Sequence, residues 1–243
     1  MKKCFTIEDG VYAALKIYEC TPKQTWQFIR AKEGELFDKI LLDNEEYPLL
    51  WHRCDPQIRE ICDLASQREP CSMKLNCSVA KKNGLDGIMY REFDIVQQAL
   101  NSEIKSIMCF QNDNAANMIA TMKNDCVAIF ELAAVLNENT PEQGRHTLWG
   151  KNGMVSDKVI SQKITANSAY IFTEDSDKPE TYNDLFLHMY GLNRSDTIKA
   201  ACITEILLGR LDISGWKDAD KRCKAYLAAA KESADAGIRV FLK

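Results

Sequence analysis

Little in this 243-residue chain commits it outright to one chemistry. It has only three histidines, His52, His146 and His188, and no C-x-x-C or H-E-x-x-H spacing, which argues against a transition-metal centre. G-x-S-x-G is missing, and with it the nucleophile turn of the α/β hydrolases. The eleven glycines never form G-x-G-x-x-G, so no loop offers its backbone amides to a dinucleotide pyrophosphate in the usual way. No stretch nears the roughly 20 apolar residues of a membrane span. Basic residues are not in excess either: 31 Lys and Arg stand against 35 Asp and Glu, a net charge of -4 without the footprint of a nucleic-acid binder. The opening MKKCFTIEDG turns acidic where a signal peptide needs an apolar run. These absences predict a cytoplasmic protein with neither nucleic acid nor membrane as partner and with no bound metal.

What is present fits a folded domain: 46% of residues are hydrophobic and 27% charged, enough for a sizeable core. The ten cysteines are scattered without paired spacing through a chain far larger than disulfide scaffolds, and are read as free, mostly buried thiols. Residues 7–20 place Val11, Ala14, Leu15 and Tyr18 on one helical face, after a short strand expected at Cys4–Ile7. Trp26, Ile29, Leu36 and Ile40 follow at near-helical spacing, then an acidic loop ending at Pro48. In DPQIREICDLASQREP, Asp55 can cap, Pro56 suits the first helical position, and Ile58, Ile61, Cys62 and Ala65 share a face.

From Cys71 the period shifts toward two. SMKLNCSV reads as a strand and DIVQQAL as helical. IKSIMCFQN, ANMIATMKN and CVAIFELAAVL, separated by Asn112-Asp113 and Asn124-Asp125, read as an antiparallel meander with one packed face. A turn at Asn152-Gly153 precedes two more strands, VISQKI and SAYIFTE. Helices then carry Ile203, Ile206 and Leu207, and Tyr226, Ala229 and Ala230, until Gly237 releases a last strand, IRVFL. The expected fold is α+β: an open, mostly antiparallel sheet with helices on one face. The expected division is an N-terminal βα or helical segment, 1–50, and a second domain, 51–243.

Several of these runs resemble one family. HRCDPQIREICDLASQREPCSMKL (52–75), IFELAAVLNENTPEQGRHTLWGKNGMVSDK (129–158) and AAAKESADAGIRVFL (228–242) are similar, in order, to the substrate domain of the Gfo/Idh/MocA oxidoreductases, the glucose-fructose oxidoreductase and inositol dehydrogenase-like enzymes. TIEDGVYAALKIYE (6–19) resembles the helix that follows the family's glutamate-lysine-proline motif, so the chain is expected to begin at or just beyond that point. The resemblance implies an NAD(P)-dependent sugar chemistry that normally needs a Rossmann domain. This chain is therefore expected to bind no cofactor itself, NAD(P) entering only with a further domain or a Rossmann-domain partner chain. It also implies a homodimer or higher homo-oligomer formed through the sheet face, and a sugar or polyol ligand.

The run NGLDGIMYREFDIVQQALNSEIKSI (83–107) resembles the helix that carries the family's aspartate and acid/base histidine. The alignment puts Gly87 at the aspartate, one position from Asp86, and Arg91 at the histidine. An arginine does not give up its proton, so the family's proton transfer is not expected from that position. The candidate substrate-binding residues are Arg53, Asp86, Tyr90, Arg91, Asp94 and His146. Several also have a plain structural reading: a capped helix with a surface ion pair for Tyr90, Arg91 and Asp94, and a packing group for His146 beside Trp149; His52, beside Arg53, reads as a packing group too. No catalytic residue is assigned. An acidic cluster, Glu174, Asp175 and Asp177, lacks the glycine and distal glutamate of a calcium loop and reads as a solvated turn. Three functions stay open: an oligomerising sugar- or polyol-binding homologue, an active NAD(P)-dependent sugar oxidoreductase whose nucleotide domain lies elsewhere, or a hydrolase or lyase acting on oxidised sugars through Asp86, Asp94 or His146.

Overall fold

Local chemistry sets each element of the computed structural model, which describes residues 6–32, 35–138, 140, 142–157, 168–172, 180–183 and 192–242; for 168–172 and 180–183 it describes the backbone. The expected strand at Cys4–Ile7, the run VISQKI, the acidic cluster 174–177 and His188 lie wholly or partly outside those residues. Contacts divide the chain into two compact units, residues 1–55 with 184–220, and residues 56–183 with 221–243.

In the first unit, helix α1 (Ile7–Ile17) begins one residue after Thr6, whose hydroxyl accepts from the Asp9 amide while the Asp9 carboxylate accepts from the Thr6 amide. This reciprocal cap makes Ile7 helical rather than the end of a strand. Ile7, Val11 and Leu15 are buried, and α1 packs on α4 (Arg194–Leu207), which buries Ile198, Cys202, Ile203 and Ile206. Among the described residues of 22–50 there is no helix. They make an antiparallel three-stranded sheet of β1 (Trp26–Ile29), β2 (Lys39–Leu42) and β3 (Glu45–Pro48). Asp43 and Asn44 both take positive φ, 46° and 71°, giving the two-residue turn whose twist matches the strands it joins. The acidic stretch read as a loop is therefore a hairpin, and the near-helical spacing of Trp26, Ile29, Leu36 and Ile40 is coincidental.

The boundary expected at residue 50 falls between Asp55 and Pro56 in this partition, and the stretch 51–243 is interrupted, because 184–220 group with the N-terminal residues. The apolar face of α4 meets α1, Lys199 pairs with Asp38 at 2.6 Å, and both terminal nitrogens of Arg194 meet the Asp55 carboxylate at 2.7 Å. These contacts, not sequence adjacency, assign the segment.

The second unit opens with α2 (Pro56–Ser66) and holds β4 (Pro70–Ala80), α3 (Leu85–Ala99), β5 (Ile104–Gln111), β6 (Ala115–Met122), β7 (Val127–Leu136), β8 (Gln143–Gly150), β9 (Gly153–Ser156), β10 (Ser168–Phe172), β11 (Glu180–Asn183) and β12 (Val240–Phe241). Helix α5 (Trp216–Ala236) starts in the first unit and belongs to the second from Lys221. The nine strands run β11-β10-β9-β8-β4-β7-β6-β5-β12, all neighbours antiparallel except the central β4 and β7. The meander β5–β6–β7 and the turn at Asn152-Gly153 stand where the period-two pattern put them.

Side chains alternate across this sheet as strand geometry requires. Met73, Leu75, Cys77, Met118, Phe130, Leu132 and Leu148 are buried on one face, against α2 and α3. Phe93 of α3 meets Phe130 edge-on at 5.4 Å, and Tyr226 of α5 meets Phe93 at 6.0 Å. The Cys109 amide donates to Ser233 Oγ at 2.9 Å, tying β5 to α5. Two glycines mark places where a side chain is disfavoured. A Cβ on Gly150 would sit 2.1 Å from the Arg68 carbonyl oxygen, and Gly237, at φ 66°, ends α5 so that β12 can pair with β5.

Candidate functional site

Helix α3 turns its apolar stripe, Ile88, Val96 and Ala99, toward the sheet, and Glu92 lies in that stripe with no exposure at all. A carboxylate there must be paired, since burying an unpaired charge costs several kcal/mol. Its main partner comes from β8. His146 faces inward beside Leu75 of β4, and its Nε2 is 2.8 Å from Glu92 Oε2. The other ring nitrogen, Nδ1, is 2.6 Å from Oδ2 of Asp157, just past β9. Asp157 is itself set by the same residue, its Oδ1 accepting from the His146 amide at 2.8 Å.

On the other side of Glu92, Arg91 Nε donates to Glu92 Oε1 at 2.9 Å. The Arg91 fork also holds Glu142, with NH1 and NH2 at 3.0 and 2.6 Å from its two carboxylate oxygens. Cys77 Sγ lies 3.0 Å from Arg91 NH2 and 3.2 Å from Glu142 Oε1. The result is a row of alternating charge, Glu142, Arg91, Glu92, His146 and Asp157. It runs from a half-exposed glutamate, 42% open, to groups sealed under the helix.

A carboxylate at each ring nitrogen requires a proton on both, so His146 is an imidazolium. Burial alone would favour the neutral ring, but Glu92 and Asp157 outweigh it and push the pKa up to about 10. Burial likewise works against ionising Glu92, and the neighbouring His146 and Arg91 reverse that, holding it at about 2. Burial opposes the charge on Arg91 too, yet Glu142 and Glu92 hold it well above its ordinary value. Burial pushes the Cys77 thiol up, so it stays protonated.

Of the six candidate residues, the structure joins Arg91 and His146, through Glu92. Asp86 accepts from Lys231 of α5 at 2.5 Å, Asp94 accepts from Gln98 at 2.8 Å, and Tyr90 is 1% exposed. Arg53 belongs to the first unit, with its guanidinium 6.0 Å from the Trp216 ring, and His52, also there, is buried beside Trp51. His146 and Trp149 do not line one pocket. Three residues apart on a strand, they face opposite sides of the sheet, His146 buried and Trp149 open. Glu92, Glu142 and Asp157 escaped the sequence reading. Glu92 alone had left a signal there, a charge in phase with Ile88 and Val96.

With that arrangement in place, the known structures can be compared. An oxidoreductase from Sinorhizobium meliloti superposes with a TM-score of 0.63 at 10% identity, covering 80% of this chain and 64% of its own. An oxidoreductase from Agrobacterium radiobacter, in complex with NAD+, L-tartaric acid and magnesium, gives 0.61 at 13% identity over 79% of this chain and 63% of its own. The fold is that of the Gfo/Idh/MocA oxidoreductases. Levoglucosan dehydrogenase in complex with NADH and L-sorbose shares it too, at a TM-score of 0.59, 11% identity, and coverage of 80% here and 65% there. This chain thus spans less than two thirds of the length of the Gfo/Idh/MocA-type structures it matches. No protein-family model and no curated protein sequence matches it. Among the described residues no helix is long and apolar enough to cross a membrane.

Proposed function

We propose that this chain is a self-associating sugar- or polyol-binding domain with the Gfo/Idh/MocA fold, which binds no nucleotide and performs no hydride chemistry with its own residues alone. The observation that carries this reading is the charge row on α3 and β8. A general base for removing an alcohol proton works best with a pKa near the operating pH. Arg91, at the position where the resemblance calls for the acid/base histidine, stays charged, while Glu92 at about 2 and His146 at about 10 are both far from neutrality. The L-sorbose held by one structural neighbour supports a sugar or polyol ligand; another holds L-tartaric acid, a hydroxy diacid.

Self-association is supported by the uncovered face of the nine-stranded sheet. Phe110, Ile119, Ile129, Val135 and Trp149 are between 37% and 63% exposed there, large apolar groups that a second copy would cover. The test is a titration with NADH and NADPH, read as energy transfer from the four tryptophans, beside melting curves with L-sorbose and L-tartrate. The reading predicts no saturable nucleotide binding and a melting shift with L-sorbose. Saturation at micromolar nucleotide would overturn it in favour of an active NAD(P)-dependent sugar oxidoreductase. Sedimentation should give at least a dimer.

A further inference from the structure

Cys71, the second residue of β4, and Cys126, just before β7, lie at the same end of two adjacent parallel strands. The ladder pairs Ser72 of β4 with Val127 of β7, so the residues immediately before them stand side by side. Neighbouring strands are about 4.8 Å apart, inside the roughly 4.4–6.8 Å range of Cα separations that a disulfide spans. The Cys126 thiol already points across the gap: its Sγ donates to the Pro70 carbonyl oxygen at 2.9 Å, one peptide unit from Cys71. Cys71 is exposed and its Sγ faces the Glu69 carbonyl at 3.6 Å. The β4–β8 register shifts between Pro70 and Ser72, so Cys71 stands out of that ladder. A cavity of about 430 Å³ lined by Cys126, Glu69, Asn101, Asn124 and Lys151 opens beside the pair.

We propose that Cys71 and Cys126 form a reversible dithiol–disulfide pair at the end of the sheet, oxidised by a low-molecular-weight disulfide of the glutathione type. Cys71 is the attacking sulfur, being exposed, whereas burial first of all keeps the Cys126 thiol protonated. The Cys71 thiolate attacks one sulfur of the external disulfide, whose other half leaves as a thiolate and takes up the proton Cys71 lost. Cys126 then gives up its proton and attacks the Cys71 sulfur of the mixed disulfide. The second thiolate leaves and accepts that proton. The protein loses two electrons and two protons, and one external disulfide becomes two thiols.

The test is incubation of the folded chain with oxidised glutathione, followed by tryptic mapping without reductant. Cys71 lies in the peptide Glu69–Lys74 and Cys126 in Asn124–Arg145, each with no other cysteine. The expected result is the two peptides joined, with full release by reductant and unchanged protection of the other buried cysteines. Cys126→Ser should stop the reaction at glutathione on Cys71, and Cys71→Ser, an exposed change that the fold tolerates, should leave Cys126 untouched. The proposal is overturned if wild-type Cys71 stays free or keeps a stable glutathione while Cys126 is unmodified. It is equally overturned if the link forms only in denaturant.

Discussion

The two faces of the nine-stranded sheet bury charge on opposite terms. On the covered face, Glu92, His146 and Asp157 are nearly sealed from water and exist only because each is paired with the next. On the open face, Lys74 meets Glu131 at 2.7 Å, Asn76 donates to the same carboxylate at 2.9 Å, and apolar groups stand beside them in water. The register shows how closely these groups interleave: Met108, Ile119, Ile129 and Lys74 fall in one row across four strands. A pair on the covered face is costly to break, because its partner is stranded. A pair on the open face is cheap, because water replaces it.

The largest effect expected from this contrast is His146→Ala. It removes the cation that Glu92 and Asp157 share, leaving Arg91 to Glu92 and stranding the buried Asp157, and should cost about 3–5 kcal/mol in a denaturant titration. A loss below 1 kcal/mol would mean that the row is not buried as described. The same break can be made by pH. The raised His146 pKa gives stability that is complete below about 6.5, its ordinary value, and lost as pH rises toward 10. The lowered Glu92 pKa gives stability that is complete above 4.5 and lost as pH falls toward 2. Both contributions are whole only between about 4.5 and 6.5, so melting temperature should peak there, and in His146→Ala the alkaline fall should flatten.

Glu142→Gln tests the half-open end of the row. Glu142, Glu92 and Asp157 face Arg91 and His146, three carboxylates against two cations, so removing the Glu142 charge strands no partner. The loss of charge-assisted bonds should cost less, about 1.5–3 kcal/mol. The smallest effect on stability belongs to the open face: Ile119→Lys and Ile129→Lys should move stability by about 0.5 kcal/mol or less. If that face joins two copies, however, the same variants should shift sedimentation toward monomer. Unchanged sedimentation would place the interface elsewhere.

Much of the fold could be read along the chain because its signals are local. The meander from Ile104 to Leu136 shows in alternation, α2 in Pro56 and its apolar spacing, and the end of α5 in Gly237. The reading failed where a longer-range partner or a turn conformation outweighed spacing. Trp26 to Ile40 looked helical until the left-handed Asp43-Asn44 turn closed β2 on β3. His146 and Trp149 looked like neighbours until the strand turned them to opposite faces. The candidate site was half legible. Arg91 and His146 stood out as residue types, but Glu142 and Asp157 gave no sign, lying 51 and 11 residues from the partners they meet.

By itself the sequence determined the α+β alternation, the covered and open faces of each strand and the absence of a glycine-rich phosphate loop, since all three are properties of short stretches and of side-chain period. Only the tertiary structure decided which charges meet. Coulombic pairing depends on distance in space, and it was the packing of α3 against the sheet that set Glu92 against His146 and so took that histidine out of the chemistry of neutral pH.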